Sequence, residues 1–90
     1  MNSLITRDDL GADSNGVVSR GDFSNRHLAN VSGKGIEYRD STFAYSIIEC
    51  SYFHKAKFIN CNFTGARIHE SVFRSAIFEN CDFRRRAKIT

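Results

Sequence analysis

Residues 41–83 read, five at a time, STFAY SIIEC SYFHK AKFIN CNFTG ARIHE SVFRS AIFEN and then CDF. The third position of each pentad is Phe or Ile, and the first is Ser, Ala or Cys. A period of five matches neither the 3.6 of a helix nor the 2.0 of an ordinary strand. All 8 Phe residues of the chain fall in this phase, including Phe23, which lies outside the quoted stretch. Self-similarity of this kind specifies a repeat architecture, in which each unit buries its apolar side only by stacking on its neighbours.

The phase runs backwards from Ser41 without a gap. IEYRD, VSGKG, RHLAN, GDFSN and GVVSR place Tyr38, Gly33, Leu28, Phe23 and Val18 at the central position, giving fourteen pentads over residues 16–85. Gly33 leaves a hole in the apolar series, and Arg26 stands where a small residue is expected.

The small–x–Phe/Leu–x–x pattern resembles the pentapeptide-repeat family over about 70 of the 90 residues. The resemblance implies an all-β fold, a right-handed quadrilateral β-helix in which four pentads make one square coil. It also implies that the central residue and the small residue two before it point inward. A coil of four pentads stacks residues twenty apart, and the sequence obeys this independently of the family. One column reads Phe23, Phe43, Phe63, Phe83, and the next Leu28, Ile48, Ile68. A third reads Gly33, Phe53, Phe73, and the fourth Val18, Tyr38, Phe58, Phe78. A plain five-residue repeat does not require aliphatic residues to recur at every fourth pentad. About 3.5 coils are expected, each rising about 4.8 Å.

Three segments follow. Residues 1–15 are a non-repeating N-terminal lead-in and candidate cap. Here Thr6 and Asp9 have the spacing of a helix start, and Leu4, Ile5 and Leu10 could form a short lid. Residues 16–85 are the β-helix, and 86–90 are a basic tail or the start of a continuation. In that tail Ala87 and Ile89 repeat the small–x–apolar spacing after one inserted residue. The open C-terminal coil offers unpaired backbone groups, so association through coil ends, including a homodimer, is an expectation.

Charge is unevenly placed. Residues 1–83 carry nine Lys or Arg against ten Asp or Glu, whereas RRRAKIT at the end adds four cations, giving the net +3. No apolar run approaches the ~18 residues that span a bilayer. The first residues lack the basic start and apolar core of a signal peptide, and 3 Cys is an odd count for a disulfide scaffold. A cytoplasmic protein is expected.

No nucleophile–base constellation or paired-carboxylate motif stands out, so neither an enzyme nor a cofactor is expected. Cys61 and Cys81 share an inward column and read as small core residues; Cys50 sits at an outward corner. His27 and His69 lie on one outward side, two coils apart and too distant for a shared metal, with Glu49 and Glu70 near His69. Solvated surface histidines are the expectation. The outward residues Lys34, His54 and Arg74, with Tyr52 and Lys55, form a candidate partner-binding surface, to which Arg84, Arg85, Arg86 and Lys88 add charge. Ile47, Ile59, Val72 and Ile77 also point outward.

The leading functional expectation is a non-catalytic protein-binding or scaffolding module, a domain or subunit of a larger bacterial assembly. The resemblance suggests a second class, because some pentapeptide-repeat proteins protect DNA gyrase by imitating duplex DNA and so confer quinolone resistance. That mechanism needs an extended acidic surface, yet Glu37, Asp40 and Glu79 are interrupted by Arg39 and Lys57. The third class is nucleic-acid contact through the basic face and tail.

Overall fold

Inward apolar residues at every fifth position cannot be sheltered by an isolated strand, so the chain turns a corner after each one and stacks on itself. The computed structural model describes the strand Leu4–Ile5 and residues 10–90. Among the described residues all regular elements are strands: β1 (Leu4–Ile5), β2 (Val17–Ser19), β3 (His27–Ala29), β4 (Glu37–Arg39), β5 (Ile47–Glu49), β6 (Lys57–Ile59), β7 (Arg67–His69), β8 (Ile77–Glu79) and β9 (Lys88–Ile89). They form two parallel sheets, one ordered β1-β3-β5-β7-β9 and the other β2-β4-β6-β8. The remaining two faces are built from single bridges, Asp22↔Thr42↔Asn62↔Asp82 on one and Ser32↔Tyr52↔Val72 on the other. Together these make a four-sided β-solenoid of about 4 turns, the architecture expected from the repeat.

Register follows the twenty-residue columns throughout the repeat. Tyr38 pairs with Phe58, Ile48 with Ile68, and Leu28 with Ile48. The irregular first coil keeps this register too, since Val18 pairs with Tyr38. At the N-terminal end the backbone of β1 adds to β3, and Leu10 is buried in the core cluster. The helix start read at Thr6 and Asp9 lies outside the described residues. At the other end β9 pairs with β7 through Arg67↔Lys88 and Ile68↔Ile89, one residue beyond the twenty-residue offset. The inserted residue is absorbed by two consecutive left-handed residues, Arg85 (φ 57°) and Arg86 (φ 63°).

The core is a set of ring stacks. Phe43, Phe63 and Phe83 lie 4.9 Å apart with nearly parallel planes, and Tyr38, Phe58 and Phe78 repeat this spacing. Rings of the two columns meet edge to face, as between Phe58 and Phe63 at 5.4 Å and 71°. Parallel stacking along a column and edge contacts across it satisfy the ring quadrupoles together. Leu28, Ile48 and Ile68 fill the aliphatic column and are at most 2% exposed. Phe73, Phe78 and Phe83, on the last coil, are only partly buried.

The small residues two before each centre have a hydrogen-bonding role that the pattern alone does not show. Ser51 Oγ accepts from Val31 N (3.1 Å) and donates to Glu49 O (3.0 Å), tying successive coils together. Ser41 makes the same pair with Gly21 N and Arg39 O. A hydroxyl inside an apolar stack is tolerated because both its capacities are used.

The apparent hole at Gly33 is occupied. A Cβ placed there would meet the Tyr38 hydroxyl and lie 2.7 Å from the Phe53 ring. Tyr38, the only Tyr among the central residues, thus extends into the space that Gly33 leaves.

Each corner is turned by a left-handed residue. The fifth position of every pentad from Arg20 to Arg85 has φ between 51° and 69°. Gly, Asn and Asp accept this conformation readily, which accounts for Asn25, Asn30, Gly35, Asp40, Asn60, Gly65 and Asn80. Asp40, Asn60 and Asn80 also link side chains along their corner, at 3.3 and 2.6 Å. Cys50 occupies such a corner at φ 52°, above Asn30. Cys50→Asn is expected to stabilise the domain by about 0.5–1 kcal/mol by relieving left-handed strain. A higher urea midpoint with unchanged m-value would show it.

The solenoid measures 32 × 26 × 23 Å, a squat block rather than a long rod. Its function must therefore be sought on four short faces and two ends.

Candidate partner-binding face

The face carrying Ser32, Tyr52 and Val72 is held by short intercoil bonds, Gly33 N to Tyr52 O and Phe53 N to Val72 O, each 2.7 Å. One position beyond each inward centre, Lys34, His54 and Arg74 form an outward column. Their spacing is fixed by bonds from Gly35 N to His54 O and from Lys55 N to Arg74 O, both 2.9 Å. Lys34, Lys55 and Arg74 are exposed and form no ion pair among the described residues. Tyr52 (41%) and Val72 (42%) are large apolar side chains left open beside these cations. The Tyr52 and His54 rings stack at 5.8 Å, and His54 Nδ1 is buried without a hydrogen-bond partner among the described residues. The face thus combines uncompensated positive charge with aromatic and aliphatic contact area.

The arginines of the tail do not join it. Arg84 lies on the opposite face, in the column of Ser24, Ala44 and Thr64, and grips Asp82 with Nε at 3.0 Å and Nη2 at 2.7 Å. That hydrogen-bonded fork holds the Asp82 carboxyl down to about 2. Arg85 and Arg86 are exposed at the corner that feeds β9, and Lys88 is on the five-stranded sheet. Of the residues read as one surface, Lys34, Tyr52, His54, Lys55 and Arg74 come together, whereas Arg84, Arg85 and Arg86 are separate.

On the five-stranded sheet, His27 and His69 are not independent solvated side chains. Glu49 receives both: its Oε1 is 2.5 Å from His27 Nε2 and its Oε2 is 2.7 Å from His69 Nε2. One carboxylate therefore links β3, β5 and β7. The columns contained this signal, because Glu49 and His69 are register partners and His27 lies diagonally across one strand. Among the described residues no group of His, Cys, Asp or Glu is arranged to hold a metal ion.

The hydrogen bond to His69, followed by that to His27, pulls the Glu49 carboxyl below its usual value of 4.5. A carboxyl depressed in the folded state contributes stability above its unfolded value and loses it as pH falls through its folded one. Glu49→Gln should therefore flatten the loss of stability on acidification below about pH 4.5, as read from urea midpoints across the acid range.

Burial works against nucleophilic character in the two inward thiols. Cys50, Cys61 and Cys81 are all free; burial pushes the Cys61 thiol up to about 11 and raises that of Cys81. Cys61 Sγ donates to Tyr38 O at 3.3 Å and Cys81 Sγ to Phe58 O at 3.2 Å, so both act as inward staples, as the serines do.

No helix among the described residues is long and apolar enough to cross a membrane. No curated protein matches the chain. Residues 42–85 match the model for pentapeptide repeats in 8 copies, and the solenoid carries the same register on through the coil that precedes them. With repeat, register and square coil in agreement, residues 42–85 belong to the pentapeptide-repeat family.

Proposed function

We propose that this domain is a non-catalytic protein-binding module and that the face of Lys34, Tyr52, His54, Lys55, Val72 and Arg74 is its contact surface. The fold supports the coarser half of this reading, since the interior is filled with side chains and the family is generally non-enzymatic. The observation that carries the finer half is the column Lys34–His54–Arg74, positively charged at both ends, unpaired by any acid among the described residues and flanked by exposed Tyr52 and Val72. Aromatic residues and Arg are enriched at protein interfaces, and a field of one sign favours a partner of the other. The partner surface is accordingly acidic with apolar content, in a scaffold or assembly subunit. The DNA-imitating alternative receives no comparable support. Glu37 is bonded to Arg39 at 3.0 Å and stands in register with Lys57, so no continuous acidic strip forms there.

The test is capture from a nuclease-treated lysate with three baits: the native domain, Lys34→Glu/Arg74→Glu, and Thr64→Glu on the opposite face. The reading expects a protein retained by the first and third baits and lost by the second. Equal retention by all three, or no protein retained by the native domain, would overturn it.

A further inference from the structure

The five-stranded sheet carries a charge arrangement that the protein-binding reading does not use. Arg67 on β7 and Lys88 on β9 are register partners. Their neighbours Ile68 and Ile89 are paired likewise, and Ile68 is only 2% exposed, so strand alternation puts Arg67 and Lys88 together on the outer surface. Adjacent strands stand about 4.8 Å apart, and like charges directly opposite each other oppose the pairing. The juxtaposition is nevertheless built in firmly. Lys88 N bonds Ala66 O at 2.8 Å, Thr90 N bonds Ile68 O at 2.7 Å, and Glu70 N bonds Thr90 O at 3.2 Å. It depends on the single break in the pentad phase. Were the extra residue not absorbed at Arg85 and Arg86, the strict twenty-residue offset would put Ala87 rather than Lys88 opposite Arg67.

Nothing in the described protein neutralises this pair. Neither Arg67 nor Lys88 takes part in an ion pair among the described residues. Glu49 is the acid on this face, and both its oxygens are engaged by His27 and His69. Glu70, at the corner, is exposed and forms no ion pair among the described residues. Between the two cations lies a cleft of about 190 Å³ lined by Arg67, Ile68, His69, Lys88 and Thr90. A water molecule's share of liquid volume is about 30 Å³, and pockets for drug-sized ligands start near 300 Å³. The cleft therefore suits an ion or a single head group and is too small for a cofactor.

We propose that this cleft is a binding site for an oxyanion, a phosphate group or a carboxylate, held between the Arg67 guanidinium and the Lys88 ammonium. The guanidinium fork matches two oxygens of such a group, and the ammonium supplies a flexible third contact. His69, held through Nε2 by Glu49, forms an oriented wall, and occupation relieves the repulsion between the two cations. The site lies on a different face from the Lys34–His54–Arg74 column, so either assignment stands if the other fails.

The experiment is a titration of the ¹⁵N-labelled domain followed by amide chemical shifts, with inorganic phosphate, with acetate, and with chloride at matched ionic strength as the control. Expected are saturable shifts confined to the amides of residues 67–69 and 88–90, absent with chloride and abolished in Arg67→Gln and in Lys88→Gln. Saturation by phosphate alone identifies a phosphate group as the ligand, and saturation by both anions includes a carboxylate source. Both substitutions are on the surface and the dispersed spectrum reports folding, so if one variant unfolds the other decides. Shifts that grow linearly without saturation, spread equally to Lys34 and Arg74, or persist in a folded variant would overturn the assignment.

Discussion

Phe58→Ala is expected to cost about 3–5 kcal/mol of unfolding free energy, the range for emptying a fully packed aromatic site. Phe58 is 1% exposed and lies 4.9 Å from both Tyr38 and Phe78 in its column. It also meets Phe43, Phe53, Phe63 and Phe73 at 5.4–6.0 Å across the core. Truncation would remove contacts within three successive coils, and the surrounding rings cannot collapse because the intercoil bonds fix their spacing. A small domain has only about 5–15 kcal/mol to lose, so the variant should be close to unfolding at room temperature. Phe83→Ala provides the internal comparison. It has the same phase, but it is partly buried and meets fewer rings, Phe63 stacked at 4.9 Å and Phe78 edge-on at 5.4 Å, so its expected cost is about 1–2 kcal/mol. Equal costs for the two, read from denaturant midpoints, would mean that the columns are not continuous stacks.

Gly33→Ala should destabilise the domain by about 1–3 kcal/mol, although the repeat phase makes Gly33 look like a vacancy to be filled. The added methyl has nowhere to go, since it meets the Tyr38 hydroxyl and stands 2.7 Å from Phe53 Cδ1. Tyr38 and Phe53 are both fully buried and cannot swing away. Tyr38→Phe removes one of the two clashing groups, so combining it with Gly33→Ala should cost less than the sum of the single changes. Chemical denaturation of the four proteins in this cycle measures the coupling. A Gly33→Ala variant more stable than the native chain would show that the space is empty.

These two positions also mark what a linear reading can reach. The columns of Phe, Ile and Leu were legible because burial selects residue type directly, and inward positions recur at a fixed interval. The filling of Gly33 was not legible, because it depends on how far Tyr38, five residues later, reaches across the coil. The left-handed corners left a partial signal in Asn25, Asn30, Gly35, Asn60, Gly65 and Asn80. Lys55 and Glu70 at the same position obscure it, since their side chains reflect solvent exposure rather than backbone preference. At the candidate face, the five residues that meet were identified from column arithmetic alone. The arginines were grouped with them through sequence charge, and what separates them is geometry: Arg84 turns back two residues to Asp82. The His27–Glu49–His69 link was missed because the distance between the two imidazoles was judged without the carboxylate that bridges it.

All of these readings rest on residues twenty apart being neighbours in adjacent coils. Scalar coupling through hydrogen bonds tests that directly, because it reports which amide donates to which carbonyl. The Phe43 amide should couple to the carbonyl carbon of Asn62, and the Phe63 amide to that of Asp82, across N···O distances of 2.7 Å. Absence of both couplings, or their appearance at carbonyls a different number of residues away, would contradict the square coil and every assignment built on its columns.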